Sequence, residues 1–171
     1  DIICYKMENI LKIIIVTFLG ILISNFFTIG FANSQTISLE GTSNNDKITG
    51  REGNDQIEGG EGNDKLDGWF GDDILEGDEG DDNLKGDRGN DILEGDEGDD
   101  NLKGYLGNDT LNGGEGNDKL EGGKGADMLE GGGGADSFIC DSDDVIADFN
   151  HQEGDSITGS CRYDYIHKEL F

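Results

Sequence analysis

The feature that most constrains this chain is a repeat of nine residues that runs without a gap from Gly41 to Ile139. Eleven copies follow one another, and three of their nine positions hold one type of residue throughout. A fixed short period predicts a solenoid, in which each unit buries its apolar side chain against the neighbouring units. The repeat therefore predicts a regularly repeating fold and not an ordinary globular core.

The invariant positions are the first, the sixth and the eighth. Position one is glycine in every copy, and position four is glycine in ten of the eleven, with Asn44 as the exception. Position six is always aspartate: Asp46, Asp55, Asp64, Asp73, Asp82, Asp91, Asp100, Asp109, Asp118, Asp127 and Asp136. Position eight is always large and apolar: Ile48, Ile57, Leu66, Leu75, Leu84, Leu93, Leu102, Leu111, Leu120, Leu129 and Phe138. Disorder, which the composition alone would suggest, gives no reason for such columns.

The net charge of the chain limits the classes of partner that it can bind. There are 39 acidic and 12 basic residues among 171, which gives a formal net charge of −27, with 30 glycines and no proline. Nucleic acid and anionic membranes are polyanions, so this excess of negative charge excludes them as partners by simple electrostatics. The same excess favours a bound cation.

The columns match the pattern GGxGxDxUx, where U is a large apolar residue. The pattern resembles that of the RTX (repeats-in-toxin) family, the hemolysin-type calcium-binding repeat. Residues 59–67 (GGEGNDKLD) and 113–121 (GGEGNDKLE) match it at every fixed position. The second glycine is often replaced, by Trp69, Asp78, Asp87, Asp96 or Tyr105. The resemblance implies a right-handed parallel β-roll, in which six residues turn, three form a strand and two nonapeptides complete one coil.

The resemblance also implies where calcium binds. Each ion is expected between one turn and the next turn on the same side, ligated by backbone carbonyls and by the sixth-position aspartates. Glycines at positions one and four permit positive φ and close approach of carbonyls, and carboxylates are the hard ligands that calcium prefers. Eleven copies give nine such pairs, hence up to nine ions, which would reduce the net charge from −27 to −9. We expect binding and folding to be one event.

The N-terminal segment predicts export. Residues 1–32 resemble a secretory leader whose true start is Met7, with Lys12, an apolar run over 13–23, and Gly30 and Ala32 before a cleavage site. The run is shorter than the roughly 20 residues of a membrane-spanning helix, so an uncleaved anchor is the alternative. We therefore predict a secreted, extracellular protein, with the cell surface as a possible location.

The remaining segments complete the predicted organisation. Residues 33–40 are expected to be a linker, 41–139 the calcium-binding roll, and 140–171 a C-terminal cap. Residues 144–149 and 154–157 resemble the segment that closes RTX rolls, and are expected to cover Phe138. Cys140 and Cys161 are predicted to form a disulfide in an exported protein, with two free thiols as the alternative.

Other motifs point to no catalysis. An EF-hand loop beginning at Asp81 would place Ile92 where a bidentate glutamate is required. His151 and His167 lie in no zinc-binding or nucleophile pattern. We predict a non-enzymatic calcium-binding protein with a structural or adhesive role. The alternatives are a calcium-folded accessory fragment of a secreted enzyme or toxin, and a module that binds an extracellular protein.

The last expectation concerns the surface. Odd and even copies are expected to form opposite sides of the roll, with Glu61, Glu79, Glu97 and Glu115 on the odd side. The even side would gather the large apolar residues Trp69, Phe70, Ile74, Ile92, Tyr105 and Leu106. Exposed apolar surface often marks an interaction site, so this even-repeat face is predicted to bind a protein partner or a second roll. The alternative is that its bulky residues fold over the isoleucines.

Overall fold

The computed structural model describes residues 36–163, in which all regular structure is β-strand. The fifteen strands are β1 (Ser38–Glu40), β2 (Lys47–Thr49), β3 (Gln56–Glu61), β4 (Lys65–Phe70), β5 (Ile74–Glu79), β6 (Asn83–Arg88), β7 (Ile92–Glu97), β8 (Asn101–Leu106), β9 (Thr110–Glu115), β10 (Lys119–Lys124), β11 (Met128–Gly133), β12 (Ser137–Cys140), β13 (Val145–Ile146), β14 (Ser156–Gly159) and β15 (Arg162–Tyr163). The predicted leader and His167 lie outside the described residues. Within 36–163 no helix could span a membrane.

The strands form two parallel sheets. One contains the eight odd-numbered strands and the other the seven even-numbered strands, each in sequence order. Each strand of the repeats pairs with the strand 18 residues later, so that Ile74 lies opposite Ile92. One coil is therefore two nonapeptides, and the chain makes about seven coils. The predicted all-β parallel β-solenoid is confirmed.

The strands are longer than expected. From β3 to β11 each has six residues, covering positions seven to nine of one copy and positions one to three of the next. The ladder resumes beyond position one, for example with Gly60 opposite Asp78, because identical copies stacked in register keep their backbone groups aligned. Only positions four to six form the turn. The expectation of a three-residue strand was wrong.

The strand composition also corrects the expected even-repeat face. Because a strand joins the end of one copy to the start of the next, the two halves of an even copy lie in opposite sheets. Trp69 and Phe70 lie on β4 in the seven-stranded sheet, whereas Ile74 of the same copy lies on β5 in the eight-stranded sheet. The large apolar residues are therefore divided between two faces, and the prediction that they gather on one side was wrong.

The core consists of two stacks of apolar side chains, one from each sheet, which form one cluster and together make up the apolar column of the roll. Every position-eight residue from Ile57 to Phe138 is fully buried, and Ile146 extends the column. Each nonapeptide therefore buries one large apolar side chain, a thin core for nine ordered residues.

The segment after the repeats adds further strands to the roll. Ile146 on β13 lies opposite Leu129, and Ile157 on β14 lies opposite Phe138. The ring of Phe149 lies 6.4 Å from the ring of Phe138. This segment covers the end of the apolar column. At the other end, residues 38–40 of the predicted linker form β1, which pairs with β3.

Cys140 and Cys161 form a disulfide, with 5.4 Å between their Cα atoms. The bond joins the last residue of β12 to the residue before β15, across a sequence separation of 21. The predicted pairing is confirmed, and it holds the closing segment to the last full coil.

Replacing both cysteines with serine is expected to lower the free energy of unfolding of the calcium-loaded roll by about 3 kcal/mol, the chain-entropy value for a loop of this length. This free energy can be measured by denaturant titration of the variant and of the wild-type protein, both oxidised and reduced. Reduced wild type should match the variant. Equal stability of oxidised and reduced wild type would contradict the structural role of the bond.

Candidate metal centre

The sixth-position aspartates end the turns and lie in two rows. Odd copies supply one row and even copies the other, with 18 residues between neighbours in each row. Ten of the eleven are buried, from Asp55 to Asp136, and Asp46 at the first coil is half-buried. A row of buried carboxylates of like charge is costly unless each is paired.

One oxygen of each interior carboxylate is used by the backbone. The N–H of Asp73 donates to Oδ1 of Asp91 at 2.8 Å, and the N–H of Asp91 donates to Oδ1 of Asp109 at 2.9 Å. The same bond recurs at each step along both rows. The aspartates therefore satisfy the turn N–H groups of the preceding coil, in addition to any metal that they bind.

The second oxygen has no protein partner. Eight sixth-position aspartates have a buried Oδ2 without a hydrogen-bond donor: Asp64, Asp73, Asp82, Asp91, Asp100, Asp109, Asp118 and Asp127. An unpaired buried polar atom costs about 1–3 kcal/mol, and more when it is charged. Eight such atoms lie in two regular rows, and a cation beside them would satisfy them.

Each Oδ2 faces a space that only glycine leaves open. A Cβ atom added to Gly95 would lie 2.5 Å from the carbonyl oxygen of Gly113 and would also contact Oδ2 of Asp100. The arrangement recurs at Gly59, where the distances are 2.5 Å to Oδ2 of Asp64 and 2.7 Å to the oxygen of Gly77. Carbonyl and carboxylate oxygens from two successive coils converge there. An all-oxygen set of this kind fits calcium.

The glycines differ from expectation in one respect. Position-four glycines have positive φ, as expected, for example 116° at Gly62 and 147° at Gly107. Position one does not, and its glycine is required by the close approach just described. Positive φ falls instead on position two, even where the residue is Trp69 (79°) or Tyr105 (77°). Left-handed backbone costs roughly 1–2 kcal/mol for such residues.

Position two determines whether Oδ2 is free. In the first two copies, Thr42 and Arg51 lack positive φ, and each donates its N–H at 2.7 Å to Oδ2 of its own aspartate, Asp46 or Asp55. From Gly60 onward position two has positive φ, and no such bond forms. The backbone N–H at position two thus either donates to Oδ2 or leaves that oxygen available to a cation. Sequence reasoning missed this role.

The same sites carry uncompensated negative charge. Burial, followed by repulsion from Asp109 and Asp73, raises the pKa of Asp91 to about 7. Burial also raises the pKa of Asp100 to about 7 and that of Asp82 to about 6. A divalent cation between the carboxylates would remove this penalty.

The metal-free roll is therefore expected to be more stable in acid. Since these carboxyls have a higher pKa in the metal-free fold than in the unfolded chain, stability is full below about pH 4. It is lost as pH rises through 6 to 7. Circular dichroism in chelator should show more β-structure at pH 4 than at pH 7.5. With calcium present the trend should reverse, because protons compete with the metal. A chelated signal that does not change with pH would contradict this.

Two further aspartates extend the rows. The N–H of Asp127 donates to Oδ1 of Asp144 at 3.1 Å, and that of Asp136 donates to Oδ1 of Asp155 at 3.0 Å. Both are buried. They lie 17 and 19 residues after their partners, so the 18-residue period of the repeats does not identify them.

Position five carries a second ladder, on the exposed corner of the turn. Oδ1 of Asp81 accepts the N–H of Asp99 at 3.1 Å, and Oδ1 of Asp99 accepts the N–H of Asn117 at 2.7 Å. These bonds point from later coils to earlier ones, opposite to the position-six bonds. The signal was present in the sequence as Asn or Asp at position five in nine of the eleven copies.

No group of three or more His, Cys, Asp or Glu side chains that could hold a metal occurs in residues 36–163. Exposed His151 lies against the ring of Phe149, with 4.7 Å between ring centroids.

The fold and these turns define a calcium-binding β-roll. The family model described as RTX calcium-binding nonapeptide repeat (4 copies) matches residues 40–75, 76–111 and 103–138. The chain belongs to the RTX calcium-binding repeat family. RTX nonapeptide repeats bind calcium, and their roll is a structural fold and not a catalytic one. No curated protein matches the chain.

Replacing Gly95 with alanine is expected to disrupt the turn, because the new methyl group would occupy the space between Asp100 and Gly113. Calcium titration followed by circular dichroism should show a midpoint raised by tenfold or more. Gly133→Ala is the matched control, because a Cβ there meets nothing within 4 Å, and it should behave as wild type. Equal midpoints for the two variants would show that the space is not used.

Proposed function

We propose that the sixth-position aspartates bind calcium in pairs along each row, and that this binding folds the roll. The observation that carries the proposal is the set of eight buried Oδ2 atoms without a protein partner. At five of these aspartates a carbonyl oxygen of the next coil borders the same space: Asp64, Asp82, Asp100, Asp109 and Asp118. Binding then supplies the free energy of folding that the thin apolar column lacks.

The pairing suggests how many ions bind. Six pairs have an unpartnered Oδ2 on both members: Asp64–Asp82, Asp82–Asp100 and Asp100–Asp118 in one row, and Asp73–Asp91, Asp91–Asp109 and Asp109–Asp127 in the other. The count of nine from the repeats included three further pairs. In Asp46–Asp64 and Asp55–Asp73, Oδ2 of the first aspartate accepts an N–H group from its own turn, and in Asp118–Asp136 only Asp118 has a buried Oδ2 without a partner. We therefore propose six ions enclosed between two such carboxylates.

Titration of the chelated chain by calorimetry at pH 7.5 tests this proposal. About six ions for each chain, taken up together with β-structure, are expected. Calcium affinity should lie at roughly 10⁻⁴ to 10⁻³ M, as in extracellular modules. Two or fewer ions at saturation would rule out the paired rows.

We further propose that the chain works outside the cell, in a structural or adhesive role. Extracellular calcium suits an affinity in this range, and the leader predicted over residues 1–32 suits export. The alternative is a calcium-folded accessory part of a secreted enzyme or toxin. Mass spectrometry of the chain from culture medium and from cells distinguishes an exported protein, cleaved near Ala32, from a retained one.

A further inference from the structure

The two sheets of the roll present faces of opposite charge. The strands of the eight-stranded sheet contain eleven acidic residues and one basic residue, Arg162. The strands of the seven-stranded sheet contain seven basic and three acidic residues. We call the outer surfaces of these sheets the acidic face and the basic face. Although the net charge is −27, the face of the seven-stranded sheet is therefore basic.

Each face also exposes large apolar side chains. On the acidic face Ile74, Ile92 and Met128 are 37%, 40% and 50% exposed. On the basic face, Trp69, Tyr105 and Leu106 are 46%, 37% and 41% exposed. Exposed apolar residues that recur along a surface mark an interaction site more often than scattered ones do. Here they lie among mostly acidic residues on one face and mostly basic residues on the other.

The basic face is shaped to receive side chains. Two shallow depressions of about 320 and 290 Å³ lie side by side and share Tyr105 and Leu106. The guanidinium of Arg88 lies 5.0 Å from the ring centre of Phe70 in the second depression. Trp69 and Tyr105 lie there at position two, whose positive φ recurs in every copy from Gly60 onward.

We propose that the basic face binds the acidic face of a second copy of this chain. The charges are complementary, and each face supplies apolar residues to the contact. Both faces repeat every ~4.8 Å because they belong to the same coils. Glu79 and Glu97 lie on neighbouring strands, whereas Arg88 and Lys124 lie two strands apart with Leu106 between them. Every second glutamate therefore matches the spacing of the basic residues.

The contact area suits a specific complex. The seven-stranded sheet has four strands of six residues and three strands of three or four, which gives a face of roughly 550 Å² at ~3.3 Å for each residue and ~4.8 Å for each strand. Covering it on both copies would bury roughly 1,100 Å², close to the lower limit of stable protein interfaces. Because the contact joins two different surfaces, each pair leaves one face of each kind free. The assembly is therefore open and grows beyond the dimer.

This inference rests on the proposed calcium-dependent folding, so the test monitors both. The full chain in calcium is studied by sedimentation velocity, with circular dichroism on the same samples. The basic-face variant is Arg88→Gln/Lys124→Gln, and the acidic-face variant is Glu79→Gln/Glu97→Gln, all at exposed positions. The control Asn54→Asp/Asn108→Asp changes the net charge as much as the basic-face variant does, at exposed turn corners.

Wild type and control are expected to grow beyond the dimer with concentration, whereas each face variant alone associates at least tenfold more weakly. An equimolar mixture of the two face variants should form dimers with wild-type affinity and stop there, because one intact face of each kind remains. A folded wild type that stays monomeric overturns the inference and leaves calcium folding intact. The inference is also overturned if the control associates as weakly as the basic-face variant. The same holds if the mixture of the two face variants forms no dimers. Absence of β-structure in calcium overturns both proposals.

Discussion

Removal of calcium is expected to unfold the roll completely instead of loosening it. Without metal, eight buried carboxylate oxygens have no partner. Burial and neighbouring negative charges raise the pKa of carboxyls such as Asp91 and Asp100. One buried apolar side chain for each nonapeptide makes a thin core, which is expected not to outweigh the repulsion between unpaired carboxylates. At pH 7.5 the chelated chain should show the circular dichroism and the enlarged radius of an unfolded polymer.

Magnesium is the control for this prediction. It requires near-ideal octahedral geometry and retains its waters, whereas the turns offer carbonyl oxygens whose positions are set by the coil spacing. Millimolar magnesium should leave the chelated chain unfolded, and calcium should restore the β-structure. A chelated chain that keeps its β-structure at neutral pH, or that folds equally well in magnesium, would contradict the mechanism.

Asp91→Asn is expected to remove two calcium sites at once. Asp91 belongs to the pairs with Asp73 and Asp109, and both of its predicted sites depend on its Oδ2. Asparagine keeps the Oδ1 that accepts the N–H of Asp73, so the backbone ladder is preserved while one ligand charge is lost from each site. Calorimetry should find about two fewer ions, and the calcium midpoint for folding should rise by tenfold or more. In chelator the same change should be neutral or stabilising, because it removes a buried charge.

Two matched substitutions isolate this effect. Asp99→Asn makes the same chemical change at an exposed corner, where Oδ1 accepts the N–H of Asn117. Asp46→Asn makes the same chemical change in the first coil, where Oδ2 already accepts the N–H of Thr42. Both should bind nearly as many ions as wild type. If Asp99→Asn lost as many ions as Asp91→Asn, the effect would come from net charge and not from the buried rows.

Much of the fold could be predicted from three columns of the sequence. The position-eight residues predicted the buried column from Ile57 to Phe138, because only an inward apolar ladder explains a period of nine. The exact repeat of residues 74–86 at 92–104 predicted the 18-residue coil that pairs Ile74 with Ile92. The Asp column predicted that the carboxylates would lie in rows. All three depend on local pattern, which one sequence contains in full.

What could not be predicted depends on geometry between coils. The strand runs through positions one to three because stacked backbones stay in register, and this placed Trp69 and Ile74 on opposite faces. The role of position two required φ values, because Thr42 and Gly60 differ in the direction of one peptide group. Asp144 and Asp155 were missed because the chain after Ile139 keeps the rows but not the spacing.

The most direct test of the paired rows is a crystal structure of the calcium-loaded chain with anomalous diffraction from the bound metal. Two rows of three peaks are predicted, each peak between Oδ2 atoms of two sixth-position aspartates 18 residues apart, from Asp64 to Asp127. Metal–oxygen distances should be about 2.3–2.6 Å, with carbonyl oxygens completing each site. A folded roll whose anomalous peaks lie away from these carboxylates, or which shows none, would contradict the account.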